Sequence, residues 1–562
     1  MNWLAETRKM LKQDLSAAAQ AAQAAGEISF DSLPDFVIER PREKAHGDYA
    51  ANLAMTLARQ AKMPPRKIAE AICGHLYQDK PSKFVESVEI AGAGFINFKM
   101  KSSWLTDGLN SAAGLGKAFG NSDFGAGQKI NIEFVSANPT GELHLGNARG
   151  AAIGDSLANI MQAAGYKVTR EYYVNDAGKQ IENFGLSLEA RYLQQLGQDV
   201  PFPEDGYHGE DISRTVAEFV AEHGDRLLAV PPAERRAELT DYALAKKLAA
   251  IRTALANYGV EYDVWFSEQS LHNADAVLGA VEELRQRGSL LEQEGALWFK
   301  ADEYGCDKPE VLVRANGIPT YYAADIAYHK DKFARGFDKL INIWGADHHG
   351  HVARLKAAVG ALGCPAENLE VILMQLVRLF SGGEILRMSK RAGTYVTLEE
   401  LVEEVGRDAA RFFFIMRSAD SQMDFDIDLA KSQSMDNPVY YVQYAHARIN
   451  SIINQAAEQG ITLPDLAQVD FALLKEDAER DLIRRLLELP DEIAAAAAQE
   501  APQKIAAYVM ELSALFHSFY GSCRVLGVEA PVQAARLWLC RTTADAVAKC
   551  LGLLGVSAPD KM

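Results

Sequence analysis

The spacing of apolar and polar positions predicts a small α+β region at the start of the chain. Apolar residues recur at helical spacing over residues 3–25 and 52–62, which indicates two amphipathic helices. Apolar and polar residues then alternate at 88–90 and 95–98, as they do in half-buried strands. We therefore expect residues 1–112 to form a first domain.

The middle of the chain carries the pattern of a parallel sheet. An alternating strand at 129–135, a helical pattern over 146–164 and another strand at 167–174 predict a βαβ unit, whose crossover should be right-handed. Two further strands are predicted at 340–344 and 371–377. The expected fold class is thus α/β, with an open parallel sheet.

The same patterns set the predicted domain bounds. A glycine-rich stretch at 114–127 is interpreted as a linker into a second domain, residues 113–405, which a helical insertion interrupts at about 182–255. From about Asp408 onward the pattern is helical throughout, so residues 406–562 are predicted to be a third, all-helical domain.

Composition excludes several classes of protein. The chain has 562 residues, of which 48% are hydrophobic and 24% charged, and this balance is typical of a globular protein rather than a disordered or fibrous one. Its six cysteines are scattered without zinc-ligand spacing and are interpreted as reduced thiols. There is no signal-peptide pattern and no apolar run of about 18 residues, so we expect a cytoplasmic protein without a membrane partner.

The net charge of −18 argues at first against a nucleic-acid partner. However, residues 1–105 hold 14 basic and 12 acidic side chains, and residues 501–562 hold 6 and 4. The acidic excess therefore lies in the middle of the chain, and both ends are slightly basic.

A first candidate site lies between the predicted strand at 129–135 and its crossover helix. In open α/β sheets this end of a strand binds ligands, and a helix start offers free amides to phosphate. His144 could donate to a phosphate oxygen, and Gly146 would let a flat base approach the backbone. The alternative is that His144 is only a capping or core histidine.

A second candidate site follows the hairpin-like residues 378–386. Arg387, Lys390 and Arg391 bring three cations within five residues, beside Ser389. Such a loop could stabilise the charge that develops on a polyphosphate. A solvated basic turn is the alternative.

The two sites together resemble a known family. His144-Leu145-Gly146-Asn147 and Arg387-Met388-Ser389-Lys390-Arg391 resemble the HIGH and KMSKS motifs of class I aminoacyl-tRNA synthetases, although Asn147 stands where the family usually has His, and Arg387 where it has Lys. The strings at 136–141, 344–351 and 437–448 resemble those of bacterial arginyl-tRNA synthetases. The resemblance implies a Rossmann-like catalytic domain between an N-terminal domain that binds the tRNA elbow and a C-terminal helical domain that binds the anticodon.

The resemblance also implies which residues bind each substrate. His144 and Lys390 would be the catalytic residues. The residues implied to contact ATP are His144, Gly146, Asn147, Asp347, Met388, Ser389 and Lys390. Those implied to bind arginine are Glu133, Ser136, Asn138, Tyr321 and Asp325. Those proposed to contact tRNA are Arg40, Arg42, Lys44, Tyr440, Tyr441 and Tyr444.

Several of these residues have simpler interpretations. Tyr321 could be a core aromatic residue and Asp325 a helix-surface carboxylate, although their i, i+4 spacing puts both on one helix face. The tyrosines at 440, 441 and 444 fit a helix core stripe as well as a base-stacking surface. Arg40, Arg42 and Lys44 fit a solvated loop equally well.

The implied reaction activates L-arginine with ATP and transfers it to the terminal ribose 2′-OH of tRNA(Arg), with tRNA needed even for activation. Mg²⁺ would accompany ATP, and no tightly bound metal or organic cofactor is expected, not even at the histidines of 348–351. The chain is expected to act as a monomer. Two other functions stay open: a nucleotidyltransferase that needs no tRNA, and a catalytically silent RNA-binding paralogue.

Overall fold

The computed structural model describes residues 2–41, 43–78, 81–386 and 396–562, without the side chains of Lys44 and Leu386. Among the described residues, no helix is both long and apolar enough to cross a membrane. The helices and strands fall into three successive regions, as the sequence pattern predicts.

The N-terminal region packs helices on a four-stranded antiparallel sheet of order β1-β2-β4-β3. Its first helix buries Leu4, Leu11, Leu15 and Ala18, the apolar stripe that predicted it, and Asn2 caps its start by accepting from the Ala5 amide. The elements are α1 (Trp3–Ala24), β1 (Ile38–Glu39), β2 (Tyr49–Ala51), α2 (Leu53–Ala61), α3 (Pro65–His75), β3 (Val85–Ala91), β4 (Phe95–Met100) and α4 (Ser102–Leu115). The predicted α+β arrangement is confirmed.

The central region is built on a five-stranded parallel sheet of order β12-β11-β5-β6-β7. Its elements are β5 (Lys129–Glu133), α5 (Leu145–Ala163), β6 (Lys167–Val174), α6 (Lys179–Gln195), α7 (Glu210–His223), α8 (Pro232–Asn257), β7 (Val264–Ser267), α9 (Glu268–Asn273), α10 (Ala276–Gln286), β8 (Leu290–Gln293), β9 (Ala296–Phe299), β10 (Glu310–Val313), α11 (Tyr321–Ala334), β11 (Lys339–Gly345), α12 (His349–Ala361), β12 (Leu369–Met374), β13 (Val377–Ser381) and β14 (Glu384–Leu386).

The strand order creates a crevice beside β5. From β5 the chain proceeds to β6 and β7 on one side and later returns through β11 and β12 on the other. A parallel sheet binds ligands where its order reverses, outside the carboxyl ends of the two strands concerned. The carboxyl ends of β5 and β11 therefore mark the expected site.

The C-terminal region is mainly helical. Its elements are α13 (Leu398–Val405), α14 (Arg407–Ile415), β15 (Met423–Asp426), α15 (Ile427–Lys431), α16 (Pro438–Glu458), α17 (Asp477–Leu487), α18 (Leu489–Ala498), α19 (Gln503–Ser522) and α20 (Ala530–Leu553). The N-terminal region contacts these helices through Arg8, whose guanidinium donates to both carboxylate oxygens of Asp491 at 2.6 and 2.9 Å.

Two sequence predictions about strands were wrong. The single strand predicted at 371–377 is two strands, because the chain leaves the large sheet after Met374. The Gln375 amide donates to Ala419 and its carbonyl accepts from Arg149, so neither group continues the ladder. The region after Asp408 is also not helical throughout, since β15 pairs with β13.

The helix α5 lies unusually close to β5, and this contact positions its first turn at the sheet edge. A Cβ added at Gly154 would lie 2.2 Å from Cγ of Phe134, which immediately follows β5. Four residues earlier on the same helix, a Cβ at Gly150 would make an ordinary 3.6 Å contact with Met374. Of these two glycines, close packing therefore requires Gly154 and not Gly150.

We expect Gly154→Ala to destabilise the protein by about 1–3 kcal/mol, the usual effect of overpacking a core. Gly150→Ala is the matched control, and we expect it to be neutral or stabilising by up to about 1 kcal/mol because alanine favours the helix. Urea unfolding followed by tryptophan fluorescence measures both. Equal effects of the two substitutions would contradict the packing argument.

Candidate active site

The turn that follows β5 has a strained backbone. Val135 has a φ of 69° and Ser136 a φ of 41°, in the left-handed region that residues with a Cβ rarely adopt. A β-branched residue is especially uncommon there. Strain of this kind costs about 1–3 kcal/mol per residue, persists only where the surroundings impose it and is concentrated at functional sites.

Two tyrosine hydroxyls hold the chain on either side of this turn. Tyr262 donates to the Phe134 carbonyl at 3.0 Å, and Tyr172 donates to the Ala137 carbonyl at 2.8 Å. Tyr172 belongs to the neighbouring strand β6, and Tyr262 follows the helical insertion. The insertion and the sheet therefore jointly fix the direction in which residues 136–138 leave β5.

Glu133 ends β5 at the edge of the crevice, and its side chain is 6% exposed. Its Oε1 accepts from the Ser136 hydroxyl at 3.0 Å, and that hydroxyl also accepts from the Tyr173 amide at 3.1 Å. Its Oε2 accepts from Nζ of Lys332, on α11, at 2.6 Å. The sequence analysis selected Glu133 and Ser136 but missed Lys332.

Two polar side chains at the mouth of the crevice are exposed. Asn138 donates from Nδ2 to Gln180 at 2.7 Å and accepts from Nδ2 of Asn175 at 2.9 Å. Asp347 lies just beyond the carboxyl end of β11, with a side chain that is 83% exposed and 3.8 Å from the His348 ring. Both are at the carboxyl edge of the sheet that the strand order selects.

The first two turns of α11 place Tyr321 and Asp325 beside His351 of α12. Asp325 lies 2.8 Å from Nε2 of His351, and the Tyr321 ring lies 5.9 Å from the His351 ring between centroids. Tyr321 is 70% exposed, so it is not a core residue. His351 was not selected as an arginine-site residue from the sequence.

His144 begins α5 as its N-cap, which was the simpler interpretation of this residue. Its Nδ1 accepts from the Gly146 amide at 3.1 Å, and its own amide donates to Oδ1 of Asn147 at 3.0 Å. This reciprocal arrangement is a capping box. Because Nδ1 is an acceptor, the proton of the neutral ring is on Nε2, which can donate to a ligand.

The chain that follows the second motif contacts the first motif. Arg387, Met388, Ser389, Lys390 and Arg391 lie outside the described residues. The hairpin of β13 and β14 precedes them. After them, Thr397 forms an antiparallel bridge with His144, and the Leu398 amide donates to the Leu143 carbonyl at 2.8 Å.

The tyrosines chosen as tRNA contacts form a half-buried aromatic cluster on α16. Tyr440 and Tyr444 lie with ring planes 11° apart and centroids 6.3 Å apart. Tyr441 and Tyr444 both contact the ring of His517 on α19, at 5.1 and 6.0 Å between centroids. Tyr441 packs against the hydrophobic core, and Tyr440 and Tyr444 are half-buried.

Of the three basic residues near the N-terminus that were predicted to contact tRNA, the structure describes only the side chain of Arg40. Arg40 forms an ion pair with Glu488, at the end of α17, so it contacts the protein's own helical region. Arg42 and the side chain of Lys44 lie outside the described part of the chain.

Three family models match consecutive parts of the chain. They are described as "Arginyl tRNA synthetase N terminal domain" for residues 7–100, "tRNA synthetases class I (R), catalytic domain" for 115–453 and "DALR anticodon binding domain" for 442–562. The crevice, the capped histidine and this catalytic-domain match define a class I tRNA synthetase.

The particular family follows from full-length relatives. An arginine–tRNA ligase of Moorella thermoacetica is 58% identical over 562 residues, which is 100% of both chains, and one of Desulforamulus reducens is 57% identical over 98% of this chain and 99% of its own. The chain belongs to the arginine–tRNA ligase family. The arginyl-tRNA synthetase structure of Thermus thermophilus, at 24% identity, shares the fold with a TM-score of 0.73 over 99% of this chain and 100% of its own.

The capping role of His144 has a pH consequence. Burial lowers the pKa of His144 from the usual 6.5. A histidine pKa that is depressed in the folded state contributes stability fully above pH 6.5, and that contribution is lost as the pH falls through the folded value. We expect NMR titration to find the His144 ring neutral, with Nδ1 unprotonated, between pH 7 and 8.

The His144→Gln variant assigns the histidine signal in this titration. A midpoint at or above pH 6.5, or a proton on Nδ1 at pH 7.5, would contradict the proposed cap.

Proposed function

We propose that this member of the arginine–tRNA ligase family charges tRNA(Arg) in two steps at the crevice beside β5. The arginine carboxylate attacks the α-phosphorus of ATP, which forms arginyl-adenylate and releases pyrophosphate. The terminal ribose 2′-OH of the tRNA then attacks the acyl carbon and releases AMP. The pairing of His144 with Thr397 carries this proposal, because Thr397 follows the second motif by six residues and lies beside the first motif.

We assign ATP to the α5 side of the crevice. Nε2 of His144, at the positively polarised start of α5, would donate to the α-phosphate, with Gly146 under the base. Asn147 keeps a donor in its Nδ2 group, since its Oδ1 accepts from the His144 amide. Lys390, seven residues before Thr397, would bind the departing pyrophosphate, and Asp347, Met388 and Ser389 complete the proposed nucleotide contacts.

We assign arginine to the space between Glu133 and α11. Glu133, Ser136 and Asn138 would bind its α-amino and carboxylate groups, and Asp325 with Tyr321 would bind its guanidinium. A guanidinium needs acceptors, and Asp325 offers a carboxylate at the crevice. Neither chemical step uses a protein nucleophile, so catalysis would come from positioning and from stabilising charge.

Magnesium enters this proposal as part of the MgATP substrate. Among the described residues, no group of three or more His, Cys, Asp or Glu side chains lies close enough to hold a metal ion. Mg²⁺ usually keeps phosphate and water ligands at such sites.

The tRNA would lie along both end regions of the chain. We propose that residues 1–112 bind its elbow, that 113–405 catalyse and that 406–562 bind the anticodon, where Tyr440 and Tyr444 would stack on unpaired bases. Their stacked, half-buried geometry supports this assignment. We further propose that the protein acts as a cytoplasmic monomer.

ATP–pyrophosphate exchange, measured with each amino acid and with or without tRNA, tests the substrate assignment. We expect exchange only when arginine and tRNA(Arg) are both present. Exchange with another amino acid would contradict the arginine site, exchange without tRNA would favour a tRNA-independent nucleotidyltransferase, and no exchange at all would favour a silent paralogue.

Two alanine substitutions test the proposed catalytic residues. We expect His144→Ala and Lys390→Ala each to slow adenylate formation by about 10²-fold or more, the usual effect of removing one charge-stabilising group, and to leave tRNA binding nearly unchanged. Lys356→Ala, on the surface of α12, is the control and should retain the wild-type rate. Wild-type rates in both test variants would contradict the assignment.

A further inference from the structure

Lys332 is a fully buried lysine on α11, inside the wall of the crevice. Its Nζ donates to Oε2 of Glu133 at 2.6 Å and to Oδ1 of Asn342, on β11, at 3.2 Å. It also lies 4.3 Å above the Tyr328 ring. Burying an ammonium group is costly and is tolerated only where the group is paired and hydrogen-bonded.

The position of Lys332 is fixed by a chain of hydrogen bonds behind it. Because an ammonium only donates, the atom of Asn342 that faces Lys332 must be the amide oxygen. Nδ2 of Asn342 therefore donates to Nε2 of His329 at 2.7 Å, and Nδ1 of His329 donates to the Asp325 carbonyl at 2.7 Å. Burial lowers the pKa of His329 well below its usual value, which keeps this ring neutral.

The Glu133 carboxylate is consequently held at both oxygens and still has acceptor capacity. Lys332 occupies one site on Oε2 and Ser136 one site on Oε1, whereas a carboxylate has about four lone-pair sites. The sites that remain can accept from a ligand ammonium only if the carboxylate keeps its orientation. Without Lys332, a buried carboxylate would lose its counter-charge.

We propose that Lys332 is a positioning residue for the substrate, which orients Glu133 to bind the α-ammonium group of arginine. This inference depends on the proposed assignment of Glu133 to the α-amino end. Lys332 does not contact arginine in this arrangement. Its effect reaches the substrate through Glu133, so it should change arginine binding and leave ATP binding alone.

Exchange kinetics with Lys332→Met test the inference. We expect KM for arginine to rise at least 10-fold, KM for ATP to stay within about twofold, and Lys332→Arg to restore much of the loss because it keeps the charge. A lower KM for arginine would overturn the inference, since it would mean that Lys332 merely repels the substrate ammonium. An equal rise in both KM values would also overturn it.

Arg335→Met is the matched control on the same helix. Arg335 donates to both oxygens of the fully buried Glu171, at 2.7 and 2.8 Å. Glu171 pairs with Glu133 across strands β6 and β5, so the loss of Arg335 breaks a comparable ion pair close to the same site without removing a partner of the Glu133 carboxylate. We expect it to lower the melting temperature without changing the ratio of the two KM values. The same KM pattern in Arg335→Met and Lys332→Met would assign both residues a structural role only.

Competition by two arginine analogues locates the effect within the substrate. Agmatine keeps the amine and lacks the carboxylate, whereas 5-guanidinopentanoate keeps the carboxylate and lacks the amine. Lys332→Met should weaken inhibition by agmatine at least 5-fold and leave that by 5-guanidinopentanoate unchanged. The opposite order would overturn the inference.

A double substitution separates this inference from the assignment on which it depends. If Lys332 acts through Glu133, the Glu133→Gln/Lys332→Met variant should have the same arginine KM as Glu133→Gln alone. If Glu133→Gln leaves the KM for arginine unchanged, the proposed arginine site is rejected. If Glu133→Gln changes the KM for arginine and Lys332→Met does not, only the role of Lys332 is rejected. If Lys332→Met does not fold, Asn342→Ala tests the same step.

Discussion

One buried guanidinium joins the central region of the molecule to the C-terminal helices. Arg411 of α14 is fully buried, and it donates to the carboxylate of Asp155 on α5 and to the Leu554 carbonyl at the end of α20. It also donates to the carbonyls of Tyr258 and Gly259, where the chain returns from the insertion. A buried charge with this many partners cannot lose one of them cheaply, so α5, the insertion and the last helix are held in one arrangement.

The position of α5 matters because its first turn is the proposed phosphate side of the crevice. Close packing at Gly154 fixes the helix against β5, and the capping box at His144 fixes its first turn. On the other side of the crevice, the strained turn at Val135 and Ser136 sets the direction in which the chain leaves β5. Backbone strain thus occurs beside the proposed substrate site, and the energy it costs is offset by burial elsewhere in the fold.

The sequence predicted the parts of the fold that depend on local periodicity. The strand at 167–174 and the first helix agree with β6 and α1 almost residue for residue, because α1 buries one continuous face and the second half of β6 is buried throughout. The break after Met374 could not be predicted, since it depends on Arg149, which is more than 200 residues away in the sequence. The strand β15 was missed for a similar reason, because its partner β13 lies in another part of the chain.

The sequence selected candidate site residues where a motif contains them and did not select those that only packing brings to the crevice. Lys332 lies on the same face of α11 as Tyr321 and Asp325, so helical spacing could have suggested it. Its partners Glu133 and Asn342, however, lie on the strands β5 and β11. His351 is similar, because only the fold places it 2.8 Å from Asp325.

The two carboxylates of the crevice, Glu133 and Asp325, differ in a way that the sequence does not show: Glu133 is balanced by a cation, whereas Asp325 is beside an imidazole. The α end of arginine is a neutral zwitterion and its other end is a cation. A balanced pair at one end of the crevice and a carboxylate without a permanent counter-charge at the other thus support the proposed direction of the substrate, with the guanidinium at Asp325.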